Sequence, residues 1–227
     1  MTYNDLFHVH TRRCRHAGEE TDTDYIETAI SLGAKSIFFM DHAPFPGDIL
    51  GNRMHMEELP QYYGTLTKLK EAYADRIDVK IGLEIEYLPE FEDYYRFLLD
   101  TYDMKLFLGQ HVCKYKGKFN FEYMDKSEEF QWLTDSVMQA VQKHYFAGVF
   151  HPERMFRNCV AWGTKQEAAA KSIWTETDTI EYNYSSVNSA WHEEFWKYKS
   201  HDNILYGIDA HSTSQLIAGT KYFRENM

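Results

Sequence analysis

The chain has 227 residues, with 24 Lys and Arg against 35 Asp and Glu, so its formal net charge is -11 with histidine neutral. That length suits one domain or at most a tight pair, and it buries roughly 70% of the unfolded surface without disulfides. A hydrophobic content of 44%, with 17 Tyr and 15 Phe, excludes disorder, and the acidic balance argues against a general nucleic-acid or membrane-surface binder.

Cys14, Cys113 and Cys159 are odd in number and form no C-x-x-C pair, as expected of free thiols in a reducing compartment. The start, Met-Thr-Tyr-Asn-Asp, does not read as a signal peptide, and no apolar run reaches the length of a membrane span. The expectation is a soluble, cytoplasmic protein with residues 1–227 in a single domain.

Short apolar runs alternate with helical stretches along the whole chain. The first run, Asp5–Val9, precedes a helix at Asp24–Leu32 that Asp22 can cap and Gly33 ends. Ser36–Met40 is followed by Met56–Ala74, where Pro60 is tolerable only near the first turn. Val79–Ile85 leads to Pro89–Thr101, and Lys105–Leu108 to Ser127–His144. Phe146–Phe150 precedes a helix through Trp174, where Thr164 and Glu167 fit a capping box. Thr179–Tyr182 precedes Ser189–Tyr198, which Asn188 can cap, and Ile204–Ile208 is the seventh run. The stretch Gly219–Met227 carries no element assignment. Seven strand–helix alternations predict an α/β fold with a mostly parallel sheet, closed as a (β/α)7 TIM-like barrel, with a doubly wound open sheet as the competitor.

Seven of the eleven histidines fall at or just past the carboxyl end of a predicted strand. His8 and His10 end the first strand and His16 follows it. His42 follows the second as Asp41-His42, His111 follows the fourth, His151 ends the fifth and His211 follows the seventh as Asp209-Ala210-His211. The third strand carries Glu84, and the sixth ends in Glu181-Tyr182-Asn183. In a parallel barrel these positions converge on one mouth. The i, i+2 spacing of His8 and His10 puts both imidazoles on one strand face, with Val9 on the other. Imidazole mixed with carboxylate suits Zn, Mn or Fe, and so many ligands exceed one tetrahedral site, implying a multinuclear centre. His55, His144, His192 and His201 lie in helices or loops and read as ordinary histidines by default.

These motifs, in order His8-x-His10, His16, Asp41-His42, Gly82-Leu83-Glu84, His111, His151-Pro152 and Asp209-x-His211, resemble those of the PHP (polymerase and histidinol phosphatase) superfamily. Asp41-His42-Ala43-Pro44, Arg53-Met54-His55-Met56-Glu57-Glu58 and Gly82-Leu83-Glu84-Ile85-Glu86-Tyr87 are similar to its histidinol-phosphate phosphatase branch. The resemblance covers residues 5 to about 212 and implies a distorted (β/α)7 barrel with a trinuclear centre. It implies one ion on His8, His10, Glu84 and Asp209. A second would lie on bridging Glu84 with His111 and His151, and a third on His16, His42 and His211.

The activity so implied is hydrolysis of L-histidinol phosphate, a small phosphorylated substrate, by hydroxide bridging two of two to three divalent ions, in histidine biosynthesis. Asp209 and Glu84 would be the catalytic carboxylates, Asp209 ligating and orienting the water. A phosphate dianion wants a bidentate cation: Arg157 and Arg53, in loops at the predicted mouth, come first, then Arg154, with Arg12, Arg13, Arg15 and Lys114 as weaker choices. Asp41 is a candidate partner for His42, the role of Glu86 is open, and His192 is a candidate substrate contact and proton donor to the leaving alkoxide. Asp48, Glu57, Glu122 and the tyrosines could meet the substrate's ammonium and imidazole. The competing readings are a phosphoesterase for another small ester and, less favoured, a non-catalytic metal-binding module. A nucleic-acid exonuclease is opposed by the net charge.

Overall fold

The computed structural model describes residues 3–115, 117–120 and 125–227. Seven parallel strands close into a barrel in the order β1 (Asp5–Val9), β2 (Ser36–Phe39), β3 (Asp78–Ile85), β4 (Lys105–Leu108), β7 (Phe146–Val149), β8 (Ile180–Asn183) and β9 (Ile204–Ala210). Phe7 of β1 pairs with Gly207 of β9, and that closure rules out the open doubly wound sheet. Between β4 and β7 the chain inserts an antiparallel hairpin, β5 (Cys113–Tyr115) with β6 (Lys118–Asn120), which periodicity had not separated from the surrounding loop.

The helices are α1 (Asp22–Ser31), α2 (Leu59–Ala72), α3 (Glu92–Thr101), α4 (Lys126–Val141), α5 (Thr164–Glu176), α6 (His192–Trp196) and α7 (Thr213–Asn226). Most of the apolar side chains, including Val79, Leu83, Tyr25, Ile26, Leu66, Leu98, Leu133 and Ile173, are buried in one cluster between the strands and these helices. A second cluster, Phe7, Met40, Phe107 and Phe150, fills the barrel interior with Phe38 and Leu205 packed against it. Phe107 and Phe150 stack at 4.7 Å, and Phe7 meets both edge-on.

Several helix starts differ from expectation. Thr21 caps α1 in a box with Asp24, and Asp22 instead pairs with Arg13 at 2.7 Å. Asp125 caps α4 by accepting from Ser127 N and Glu128 N. The α5 start uses Gly163 with the Gln166 side chain rather than Thr164 with Glu167. Asn188 does not cap α6, because Trp191 is left-handed (φ 67°) and delays the start to His192. Gly219–Met227, unassigned from sequence, lies in the later turns of α7 and the last residue. There Arg224 donates to the carbonyls of Tyr3 and Leu32 and ties the last helix to the first strand. No helix among the described residues is long and apolar enough to cross a membrane.

Candidate metal centre

At the carboxyl end of the barrel, just above the Phe7–Phe107–Phe150 plug, the polar strand ends converge. Plain alternation would send Phe7 and His8 to opposite faces, but both point inward. His8 has φ 68°, a left-handed conformation that costs a side-chain-bearing residue energy, and the pairing of β1 with both neighbours shifts register there. The His8 ring therefore rests on Phe150 at 4.1 Å, Val9 goes to the outer core, and His10 comes in beside His8 at 4.8 Å. The expectation that His8 and His10 share a side holds, through a bulge rather than a regular strand. His151 (φ 29°) and Asp209 (φ 58°) are also held at positive φ. Three side chains of one cluster on unfavourable backbone mark a place where geometry is held against local preference.

Glu84, one residue before the end of β3, stands at the centre. Its Oε2 lies 3.2 Å from His8 Nε2, 3.3 Å from His10 Nε2 and 3.3 Å from His42 Nδ1, and its Oε1 lies 2.9 Å from His151 Nε2 and 3.9 Å from His111 Nδ1. Asp209 Oδ1 lies 3.1 Å from His10 Nε2 and 3.7 Å from His8 Nε2. Position 109 must be glycine for this arrangement, since a Cβ there would sit 1.9 Å from Glu84 Oε1. A bridge between His42 and Glu84 extends the β2–β3 pairing and sets His42 beside the carboxylate.

The ligand-type atoms gather into overlapping groups: His8, His10, Glu84 and Asp209; Glu84, His111 and His151; and His10, His42 and His211. The first two coincide with sets implied by the family resemblance. In the third, His10 takes the place expected of His16, which is exposed and stands 5.3 Å from the His42 ring and 4.6 Å from the His211 ring.

The donor chemistry fits ions. His10 Nε2, Glu84 Oε1, His151 Nε2 and His211 Nε2 are buried and make no hydrogen bond, although oxygens or nitrogens of neighbouring side chains face them. Orphaned buried polar atoms are costly unless something is to lie between them. A tetrahedral ion with nitrogen and oxygen ligands at about 2.0–2.2 Å has ligand–ligand edges of about 3.4 Å. The four histidine–carboxylate distances among His8, His10, Glu84 and Asp209 run from 3.1 to 3.7 Å.

The protonation states agree. Burial, with Arg154 beside it, drives His151 down to about 3, and burial with His10 drives His211 to about 3, so both are neutral with lone pairs available. Burial also puts His42 well below its ordinary value. Burial opposes ionisation of Glu84, but His42 and His151 hold it well below the usual carboxylate range, and Arg154 and His8 do the same for Asp209. His8 and His10 are the exceptions: at His8 burial is overcome by Glu181 and Asp209, which lift it to about 10, and at His10 burial is overcome by Asp209 and Glu84, which raise it above its ordinary value.

Behind the ring nitrogens lies a set of partners that fixes their orientation. His8 Nδ1 meets Glu181 Oε1 at 2.6 Å, and His10 Nδ1 meets Cys14 Sγ at 3.2 Å. Cys14 donates to Asp41 Oδ1 at 3.0 Å. Asp41, expected as a partner of His42, instead also accepts from the Thr11 N and Oγ1, and His42 N donates to Cys14 Sγ. Nδ1 of His16 meets the Cys14 carbonyl and Nδ1 of His211 the Asp209 carbonyl. Glu86 accepts from the His111 and Val112 amides. Sequence reasoning gave no role to Glu181 or Cys14. Its one usable signal was that Glu181 lies on the last turn of pleat before a strand end, two residues from Asn183.

Of the arginines, Arg154 reaches the cluster. It donates from Nη2 to Asp209 Oδ2 at 2.6 Å and from Nε to Ser186 Oγ at 2.8 Å, and it also pairs with Ser185. Arg157 is engaged with Glu129 at 3.5 Å, and Arg53 is buried over Phe45, near Glu86 at 3.7 Å. His192 is not brought to the cluster: it is buried against Glu153 (2.9 Å), Tyr182 and Trp196 on the helical side of β8. Asp48 pairs with His55 at 3.2 Å in an exposed loop and Glu57 is exposed, while Glu122 lies outside the described residues. His201 bonds the Thr177 carbonyl and packs on Trp174, an ordinary structural role.

Residues 7–184 match the model of the PHP domain. Over 101 residues the chain is 35% identical to the histidinol-phosphatase of Bacillus subtilis, covering 42% of this chain and 38% of that protein. Over 124 residues it is 32% identical to a probable histidinol-phosphatase of Deinococcus radiodurans, covering 54% of this chain and 47% of that one. The matched stretches thus span less than half the length of these relatives. The fold superposes on the crystal structure of histidinol phosphate phosphatase from Lactococcus lactis, complexed with Zn, L-histidinol and phosphate. That match has a TM-score of 0.73 at 17% identity and covers 100% of this chain and 94% of that one. With the family match extending from β1 to the residue after β8, the chain belongs to the PHP domain family.

Proposed function

We propose that the chain is a metal-dependent phosphomonoesterase that hydrolyses L-histidinol phosphate, with residues 1–227 as one PHP-type metallohydrolase domain. The observation that carries this reading is the central Glu84 carboxylate, faced by nitrogens of His8, His10, His42, His111 and His151 that lack protein hydrogen-bond partners of their own at the facing atoms of His10 and His151. The histidinol-phosphatase names of the relatives and the zinc, histidinol and phosphate of the Lactococcus lactis structure support the substrate.

In this reading His8, His10, Glu84 and Asp209 hold one ion. Glu84, His111 and His151 hold a second, and His42 and His211, with His10 or His16, hold a third. The donor set suits Zn, Mn or Fe. Divalent ions held there lower the pKa of the attacking water and neutralise charge on the phosphoryl oxygens. Asp209 Oδ1 faces the His8 and His10 nitrogens while its Oδ2 is held by Arg154, so the carboxylate is oriented to align the water. Arg154, fixed by Ser186 and Asp209, is the cation best placed to meet a phosphate oxygen at the mouth. Exposed His16 and half-buried His42, His111 and His211 leave that side open for the ester to enter. The free thiols of Cys14, Cys113 and Cys159 suit work in a reducing, cytoplasmic setting.

The test is phosphate release from L-histidinol phosphate, beside a panel of other monophosphates, on protein whose metal content has been counted. Two to three ions per chain with preference for histidinol phosphate is the expected result. Metals with activity on another ester would move the substrate and keep the site. Protein that stays inert after loading with Zn or Mn would overturn the enzyme reading.

A further inference from the structure

Glu181 is completely buried at the end of β8, and two donors from different parts of the cluster converge on its two oxygens. Oε1 takes the His8 Nδ1 hydrogen bond at 2.6 Å, and Oε2 accepts from the His151 backbone N at 3.0 Å. His8 belongs to the first of the candidate ion positions and His151 to the second, and both sit on left-handed backbone. The opposite wall is cut away for the carboxylate: a Cβ at Gly207 would lie 1.7 Å from Glu181 Oε1.

We propose that Glu181 is a positioning residue that aligns both ion positions at once, holding His8 by its ring and His151 by its main chain. The inference rests on the metal-centre reading above. Its chemistry follows from the donor inventory. Both groups facing Glu181 are N–H donors, so only a carboxylate, with acceptors at both ends, satisfies them together. A bond at Nδ1 also fixes the His8 tautomer, leaving Nε2 to face Glu84 and Asp209. The same contact offsets part of the backbone cost at residues 8 and 151, which no contact along β1 or β7 alone would hold.

Glu181→Gln separates this role from simple bulk. Glutamine matches the volume but presents one acceptor and one donor, so either one contact breaks or the His8 tautomer inverts and puts its proton on Nε2, the atom that faces Glu84 and Asp209. Zn and Co(II) affinities are measured by chelator competition, and the Co(II) d–d spectrum is recorded. Glu153→Gln, which alters an equally buried carboxylate whose side-chain hydrogen bond goes to His192 and to no ligand-type group of the cluster, serves as the control for loss of a buried pair. The expected result is a loss of roughly ten- to a hundredfold in metal affinity with an altered Co(II) spectrum for Glu181→Gln. Glu153→Gln should retain wild-type affinity and spectrum. Should Glu181→Gln fail to fold, Glu181→Asp keeps both acceptors but shortens their reach, and a weakened affinity with a shifted spectrum is expected there too. Wild-type affinity and spectrum in whichever folded Glu181 variant is measured, or an equal loss in Glu153→Gln, would overturn the proposal while leaving the metal reading standing. Failure of the wild-type protein itself to bind either ion would overturn both.

Discussion

The cluster has two halves built in different ways. His8, His10, Glu84, His151 and Asp209 are buried, lie at strand ends, and include three residues on positive-φ backbone. His16, His42, His111 and His211 stand on the loops that follow, half-buried or exposed, with the His16 and His211 rings held by the carbonyls of Cys14 and Asp209. The difference shows where precision is demanded. In the dry half, two ionised carboxylates and their histidines can be stable together only if charge is balanced across short, fixed distances. In the wet half, solvent screens the groups and a substrate needs room, so loops suffice.

The sharpest way to break this comparison is to remove a carboxylate of the dry half. Asp209→Ala or Glu84→Gln should lower turnover of histidinol phosphate by about a thousandfold or more and reduce the ions counted per chain. Near-normal hydrolysis in Asp209→Ala would end the scheme. Arg154→Ala comes next: it removes the charged donor to Asp209 and the cation nearest the mouth. Steady-state kinetics should show kcat/KM down about ten- to a hundredfold with the fold intact by circular dichroism. His16→Ala tests the wet half and should cost less. The most weakly held ion should become easier to remove with a chelator, while the ions on the buried groups stay.

The pH dependence of metal uptake sharpens the contrast further. His8, lifted to about 10, carries a proton at neutral pH in the metal-free protein, and an ion at its Nε2 must displace it. Affinity should therefore rise with pH through the neutral range, by about tenfold per unit for one displaced proton, with acid released into weak buffer on zinc addition. The stability of the metal-free protein runs the other way. Because the folded pKa of His8 is raised from 6.5, its contribution is complete below that value and is lost as the pH climbs towards about 10. Thermal melts across that window should show Tm falling for the metal-free protein. The smallest effect is expected at His192→Gln: a lower Tm from the lost Glu153 contact, and kcat/KM within about twofold of wild type.

Much of the candidate site was legible because its residues announce themselves by type and place. Histidines after five separate apolar runs, with Glu84 on another and Asp209 beside His211 at the last, identify a barrel mouth from residue type and place alone. The partners behind them were not legible. Glu181 reads as an ordinary strand-end glutamate, Cys14 as one of three stray thiols, and Asp41 as a neighbour of His42 rather than the acceptor for Cys14 and Thr11. Their roles depend on which side chains from distant strands arrive opposite them. The surroundings of His192 were hidden for the same reason: it opens α6, and only packing decides that it meets Glu153, Tyr182 and Trp196 rather than the cluster.

Sequence alone thus determined the seven main strands, their mostly parallel arrangement and most of the cluster's ligand-type residues, since hydrophobic period and residue chemistry are local properties. Tertiary structure decided that Phe7 and His8 both turn inward, that Arg154 rather than Arg53 or Arg157 reaches Asp209, and that Glu181 links His8 to His151. Those outcomes depend on barrel closure, which brings β1, β8 and β9 side by side and lets long-range contacts hold backbone that no local sequence would choose.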